Sequence, residues 1–271
     1  MIDSHSFRTF EHAGWENVSQ RYHEAWGNLT TQTIPALLDA VRAESGVKLL
    51  DIASGPGYVA AAAAKRGATV TGVDFSAAMV AQAQRNYPDI EFREGDAEQL
   101  PFEDGVFEAA VMNFGILHLA RPEQALLEAC RVLRTGGRFA FTAWAKPDET
   151  VGFKIVLRAI EQHGRLNVSL PEGPPFFRFS DPDECARSLL VAGFTSAKVI
   201  KVRQIWRLPA GDGLFEAMKE STVRTAGLLR EQKPEALIQI RDAIRKETEP
   251  YQKGAVVELP MPAILASGTK A

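Results

Sequence analysis

The sequence predicts an α/β fold: a mostly parallel sheet with helices on both faces. Three observations carry that expectation. Strand-length apolar runs recur near 47–53, 69–74, 90–94, 107–113 and 137–144, separated by helical stretches near 58–66, 76–86 and 122–134, the spacing of βα units. The runs are nearly all apolar rather than alternating, as in strands covered on both sides. Asp51, Asp74, Asp96 and Asn113 stand at or just past the carboxyl ends of these runs, where ligands of such sheets bind.

Taken in order, residues 12–45 read as two helices ahead of the sheet. In the second, Ile34, Leu37, Leu38 and Val41 form an i, i+3, i+4, i+7 stripe, the mark of an amphipathic helix. The first sheet strand ends in Leu49-Leu50-Asp51-Ile52-Ala53 and runs into Ser54-Gly55-Pro56-Gly57, a turn that opens the next helix. After Trp144 the pattern changes. Residues 151–165 suggest a helix, Pro171 to Pro175 a Pro- and Gly-rich loop, and Asp181-Pro182 an N-cap opening a helix to Ala192, ended by Gly193. Ser196–Leu208 and Ala255–Ser267 read as long late strands. Between them, residues 212–249 hold two or three helices with Leu237, Ile240 and Ile244 on one face. An insertion of that length exceeds a hairpin loop and is expected to cap the site.

The glycine turn points to a nucleoside-bearing cofactor. Gly55 and Gly57 let the backbone approach a ligand without an intervening Cβ, and Asp74 lies where an acid accepts hydrogen bonds from ribose hydroxyls. Gly55 to Ala60 fits the dinucleotide fingerprint, with Asp74 at about the expected 20-residue separation. Asp51 argues against a dinucleotide. A pyrophosphate at a helix N-terminus wants positive potential, and a carboxylate beside it repels it. The same carboxylate suits S-adenosylmethionine, which carries an ammonium and a sulfonium and no phosphate.

The motif order is D-x-A-x-G-x-G at Asp51 to Gly57, V-x-G-V-D at Val70 to Asp74, G-D-A-x-x-L-P-F at Gly95 to Phe102 and R-V-L-R-x-G-G-R at Arg131 to Arg138. In this order the chain resembles the class I S-adenosylmethionine-dependent methyltransferases, in the small-molecule branch with the ubiquinone/menaquinone biosynthesis enzymes. The resemblance is close over roughly residues 15–145. It implies a Rossmann-like seven-stranded, mostly parallel sheet whose antiparallel last strand pairs in a hairpin at the sheet edge. The whole chain is expected to be one domain, 1–271: an N-terminal helical lid over 1–45, a cofactor-binding core over 46–146, acceptor-side elements and a helical cap over 147–254, and a final strand over 255–268.

Within that reading Asp51 meets the methionine ammonium and Asp74 the ribose. Asp96 and Ala97 meet the adenine edge, and Phe75 and Leu100 sandwich the ring. The resemblance places Asn113 and Phe114 beside the methionyl part and Ser54 along the turn. Ala53, Met79 and Glu98 complete the cofactor set, with Tyr22 near the methionine carboxylate. No metal is expected. His118, in the loop after the fourth strand, is the candidate general base; its competing role is to hold loop backbone. Trp15, Tyr22 and Trp26 fall on one helix face, as a lid over the site or as ordinary core. Phe176, Phe177 and Phe179, with Pro174 and Pro175, are either the lining of an apolar acceptor pocket or loop anchors.

Composition narrows the partners. The 271 residues carry a net charge of −3, with 45% hydrophobic and 24% charged residues and no dense Lys/Arg stripe, unlike a nucleic-acid-binding surface. Asn113-Phe114-Gly115-Ile116 replaces the N-P-P-Y-type tetrapeptide of nucleic-acid amino-methylating enzymes. Neither a cysteine pair placed for arsenic nor an acidic metal cluster of the catechol type is present. Cys130 and Cys185 are the two cysteines and read as free thiols of a cytoplasmic protein. Met1 to His5 lacks the basic and apolar regions of a signal peptide, and no apolar run is long enough for membrane insertion. The partner is a small-molecule acceptor for O-, C- or N-methylation, acted on by a monomer or homodimer. The competing readings are an NAD(P)-dependent oxidoreductase and a non-catalytic cofactor-binding protein.

Overall fold

The computed structural model describes residues 3–271; residues 1 and 2 of the expected N-terminal segment lie outside the described residues. Helix α1 spans Ser4–Thr30, capped by the Asp3 side chain, which accepts from the His5 and Ser6 amides. A 3₁₀ turn at Thr31–Thr33 joins it to α2, Ile34–Ala40. The N-terminal segment is therefore one long helix from Ser4 and one short helix, with Pro35 in the first turn of α2. The expected start at residue 12 was too late because Asp3, not an apolar stripe, marks the beginning of α1. The stripe of α2 behaves as its spacing predicts: Leu37 and Leu38 are fully buried.

The alternation then runs β1 (Lys48–Ile52), α3 (Tyr58–Lys65), β2 (Thr69–Asp74), α4 (Ala77–Asn86), β3 (Glu91–Glu94), β4 (Phe107–Asn113), α5 (Pro122–Val132), β5 (Leu133–Trp144), α6 (Val151–His163) and α7 (Pro182–Val191). It continues with β6 (Phe194–Val202), β7 (Ile205–Pro209), α8 (Gly213–Glu220), α9 (Arg224–Arg230), α10 (Pro234–Thr248), β8 (Gln252–Lys253), β9 (Val256–Pro260) and β10 (Ala263–Lys270). The central sheet has seven strands in the order β3-β2-β1-β4-β5-β10-β6. β1 pairs in parallel with both β2 and β4, so the strand order reverses beside it. β10 runs antiparallel to β5 and β6.

Both faces of the sheet are covered, as the apolar strands require. In β1, Leu49 packs under α2 and α3, while Leu50 and Ile52 join the core on the opposite face, with Leu126 and Ala129 of α5. β4 divides the same way, Ala109 and Val111 to one face, Ala110 and Met112 to the other. Alternate residues of one strand thus serve two cores.

The late strands depart from a simple edge hairpin. β10 inserts between β5 and β6, leaving β6 at the edge, and β7 and β9 belong with β8 to a separate three-stranded sheet. Across the break the pairing nevertheless stays in register, Val202 opposite Ala263 and Ile205 opposite Pro260. The ribbon parts at Arg203-Gln204 and Met261-Pro262. Pro262 has no N–H to give the ladder, and Gln204 holds the break: its Nε2 donates to the Met261 carbonyl at 3.0 Å and its carbonyl accepts from the Met261 amide at 3.0 Å. Helices α8, α9 and α10 fill the insertion, with Leu214, Met218, Ile240 and Ile244 buried. Among the described residues no helix is long and apolar enough to cross a membrane.

Candidate active site

A cavity opens at the carboxyl ends of β1, β2 and β4, beside the reversal in strand order. Its lining includes Asp51, Ala53, Ser54 and Gly55 after β1, Asp74, Phe75 and Met79 after β2, Asp96 and Ala97 after β3, and Asn113, Phe114 and His118 after β4. α1 lies across the opening and adds Trp15, Tyr22 and Trp26. Most of the site residues expected from the sequence are therefore brought together. Gly57, Glu98 and Leu100 are outside the lining.

Those three have local duties. Gly57, at φ 86°, precedes α3, and a Cβ there would come within 2.7 Å of the Phe92 ring. The buried Glu98 carboxylate accepts from the Arg121 amide and from Arg121 Nε, both at 2.8 Å. The Leu100 amide donates to Glu128 Oε2 at 2.8 Å, and its side chain is buried in the core. Gly55, at φ 50°, does face the cavity; it needs glycine for its backbone angle, since a Cβ there would meet nothing.

Asp51 is the acid of the cavity wall with an unsatisfied oxygen; beside it the Ser54 hydroxyl also has no partner among the described residues. Asp51 Oδ2 accepts from the Ala60 amide at 2.9 Å, while the buried Oδ1 has no partner among the described residues. Burial, with a smaller contribution from Asp74, pushes its carboxyl up to about 8. Asp74 accepts from the Gly55 amide at 2.8 Å and the Ser76 amide at 3.0 Å. Burial raises it to about 6 despite those bonds. Each Asp74 oxygen keeps a second lone pair for a ligand hydroxyl. Asp96 is partly exposed and pairs with Arg8 of α1 at 2.6 Å.

α1 is tied down along the cavity. Besides Arg8, Glu16 Oε1 accepts from the Ala78 amide at 3.2 Å, and the His12 and Phe75 rings meet edge to face at 5.3 Å. Tyr22 donates weakly to Thr30 Oγ1 at 3.4 Å, and burial pushes its phenol up to about 12. Asn113 spends its amide within the protein: Oδ1 accepts from Thr33 and Thr142 hydroxyls at 2.8 and 2.7 Å, and Nδ2 donates to the Thr30 carbonyl at 3.0 Å. It offers a positioned wall rather than free polar atoms. Phe114 stacks on Trp144 with centroids 4.1 Å apart.

Beyond the acids the cavity turns aromatic. Trp15, Trp26, Phe114, Trp144, Phe153 and Phe176 line it, closed on the far side by Ser221 to Thr225 before and within α9. Trp26 serves core and cavity together: its ring lies 4.2 Å from Trp206 and its Nε1 donates to Ser221 Oγ at 3.0 Å. Phe177 packs on Phe153 and Phe176 at 5.7 and 5.1 Å behind the lining. Phe179 is a core residue against Phe141 at 5.5 Å. Of the three expected phenylalanines, then, Phe176 faces the cavity.

His118 stands where the acids give way to the aromatic chamber. Its Nδ1 is 3.0 Å from Glu11 Oε2, and its ring meets Trp15 edge to face at 4.8 Å. Glu11, absent from the sequence reading, is fully buried; Trp15 Nε1 donates to its Oε2 at 3.1 Å and Arg224 Nε to its Oε1 at 2.9 Å. Burial would raise its carboxyl, but His118 and Arg224 outweigh that and hold it below the ordinary range. Arg224 also donates to the Pro174 carbonyl at 2.8 Å, while its buried Nη2 has no partner among the described residues. The i, i+4 spacing of Glu11 and Trp15 was the one local signal of this cluster.

Comparison with known proteins agrees with the strand order and motifs. Residues 50–141 match the methyltransferase domain family. The demethylmenaquinone methyltransferase of Beutenbergia cavernae is 41% identical over 125 residues, 44% of this chain and 52% of that protein. An uncharacterized 37.1 kDa protein in transposon TN4556 of Streptomyces fradiae is 40% identical over 210 residues, 74% of this chain and 59% of that protein, an alignment too long for the cofactor core alone. The chain thus spans about half the length of the curated relatives it matches. The solved YcgJ protein of Bacillus subtilis shares the fold, with a TM-score of 0.58 at 20% identity over 88% of this chain and 97% of that one. By this matched domain, its four ordered motifs and its strand order, residues 50–141 carry a methyltransferase domain, and the chain is similar to the class I methyltransferases that include the demethylmenaquinone enzymes.

Proposed function

We propose that the protein transfers a methyl group from S-adenosylmethionine to a small, largely apolar acceptor in the cytoplasm. The observation that carries the reading is the unpaired Oδ1 of Asp51. A buried carboxylate without a partner is costly, and an ammonium seated against it would satisfy the oxygen and restore the ionised form. A pyrophosphate would meet repulsion there. Asp74, with lone pairs toward the cavity, suits the two ribose hydroxyls, and Phe75, Met79 and Ala97 suit an adenine.

S-adenosylmethionine, when bound, supplies a methyl group on a sulfonium that leaves to an in-line nucleophile. The chain's own part is to hold the acceptor in line, exclude water and take its proton. Positioning alone supplies much of such an acceleration. Trp15, Trp26, Trp144 and Phe153 offer flat apolar faces for the acceptor, and His118 offers a ring nitrogen for its proton. The two buried free thiols, Cys130 and Cys185, suit a reducing compartment.

Titration calorimetry tests the reading: S-adenosylhomocysteine is expected to bind and nicotinamide dinucleotides are not. NAD or NADP binding without S-adenosylhomocysteine binding would sink it. Asp74→Ala is expected to weaken S-adenosylhomocysteine binding by about 1.5–3 kcal/mol, the range for hydrogen bonds to a charged group. Unchanged affinity in a variant that still unfolds cooperatively would remove Asp74 from the cofactor site.

A further inference from the structure

Glu11 collects three donors on one carboxylate, from three parts of the chain: Trp15 in its own helix, His118 after β4 and Arg224 at the start of α9. An ionised carboxylate only accepts, so the His118 nitrogen facing it must carry a hydrogen. His118 Nε2 has no protein partner among the described residues, and the side chain borders the cavity. The edge-to-face contact with Trp15 at 4.8 Å, and Phe176 at 6.2 Å on another side, fix the ring plane. Asp74, at the end of β2, is a further charged group whose field reaches this ring, and Arg224 stands behind it on the other oxygen of Glu11.

We propose that Glu11 is the positioning residue for His118, selecting the Nδ1–H tautomer whenever the imidazole is neutral so that a bare Nε2 faces the acceptor chamber. This rests on the methyl-transfer reading for its purpose, but the tautomer itself exists without cofactor or acceptor. Because Glu11 belongs to α1, the base is complete only with α1 seated across the site. Arg224 sets the polarity of the arrangement. A guanidinium cannot give up its proton, so the Glu11 Oε1 position must hold an acceptor, and charge-assisted bonds of this kind outweigh neutral ones.

That last point yields a test specific to positioning. In Glu11→Gln the charge-assisted bond from Arg224 outweighs the neutral one from Trp15 and holds the amide oxygen, which turns the amide NH₂ toward His118 Nδ1 and leaves Trp15 Nε1 without its acceptor. The imidazole is then expected to switch to the Nε2–H form, losing its free base while keeping the histidine. In the double variant Glu11→Gln/Arg224→Met the amide is released from that demand, and its oxygen can return to His118 and Trp15. The Nδ1–H tautomer is expected to reappear.

Two-bond ¹⁵N–¹H spectra of the histidine rings read this directly, with His118 assigned by its loss in His118→Gln. The wild type is expected to show a pyrrole-type Nδ1 and a pyridine-type Nε2. Glu11→Gln is expected to exchange the two resonance types, and the double variant to restore them. A wild-type His118 in the Nε2–H form overturns the proposal whether or not either variant folds. A Glu11→Gln protein that keeps the wild-type pattern also overturns it, since a structural acid would leave the tautomer unmoved. Absence of S-adenosylhomocysteine binding to the wild type would instead count against the methyl-transfer reading and leave the tautomer result standing.

Discussion

Raising the pH from 6 to 8 is expected to tighten S-adenosylhomocysteine binding by up to about tenfold per unit, the limit for release of one proton. The cause is Asp51, whose carboxyl is pushed up to about 8 by burial. At pH 6 it is mostly protonated, yet only its ionised form can pair with the ligand's ammonium, so binding must expel the proton. Asp74, raised to about 6, contributes mainly at the lower end of that window. Calorimetry in two buffers of different ionisation enthalpy counts the proton released. Asp51→Asn is expected to bind weakly with a flat profile, and a flat profile in the wild type would remove Asp51 as the ammonium's partner. The same displacement acts on the ligand-free fold. Both carboxyls bind protons more tightly folded than unfolded. Their stabilising contribution is therefore complete below the ordinary value of 3.8 and is lost as pH rises through about 6 and 8.

His118→Ala is expected to lower methyl transfer by about 10²–10⁴-fold, the usual share of a positioned general base, while S-adenosylhomocysteine affinity changes little. The separation follows from position: Asp51 and Asp74, the proposed cofactor contacts, stand at the ends of β1 and β2, whereas His118 borders the aromatic chamber. Transfer of a labelled methyl group to a panel of small aromatic acceptors, followed by kcat and KM for an accepted one, checks it. A loss of less than a few-fold would make His118 a loop anchor. An intact rate would also mean that the acceptor arrives already ionised.

The parts of this molecule legible in the sequence are those whose cause is local. Strands β1, β2 and β4 announce themselves by largely apolar runs at βα spacing, and Asp51, Asp74 and Asp96 by standing at or just past strand ends. Glu11 had no such announcement. Its partners His118 and Arg224 lie 107 and 213 positions away, and on its own it reads as one more surface acid of a helix. The aromatic chamber was half visible: Trp15, Tyr22 and Trp26 share a helix face, but Trp144 and Phe153 look like ordinary ends of a strand and a helix until the chain folds. The division of the late ribbon was equally hidden. Pro262 alone cannot tell whether a strand stops or merely changes sheets; Gln204, stitched to Met261 across the break, decides it.

That ribbon has a consequence for how such a protein can diversify. The Ala210 amide donates to the Ala255 carbonyl at 2.9 Å, so the chain departs for α8 and returns from β8 through what is, in effect, a single doorway. The segment between can change in length without shifting the register of the central sheet. Two requirements travel with any replacement: an apolar face like that of Ile240 and Ile244 to lay against α6, and partners for Trp26 and Glu11 in place of Ser221 and Arg224. On the proposed reading, the acceptor side can therefore change at one point of the chain while Asp51 and Asp74 stay in place at the ends of β1 and β2.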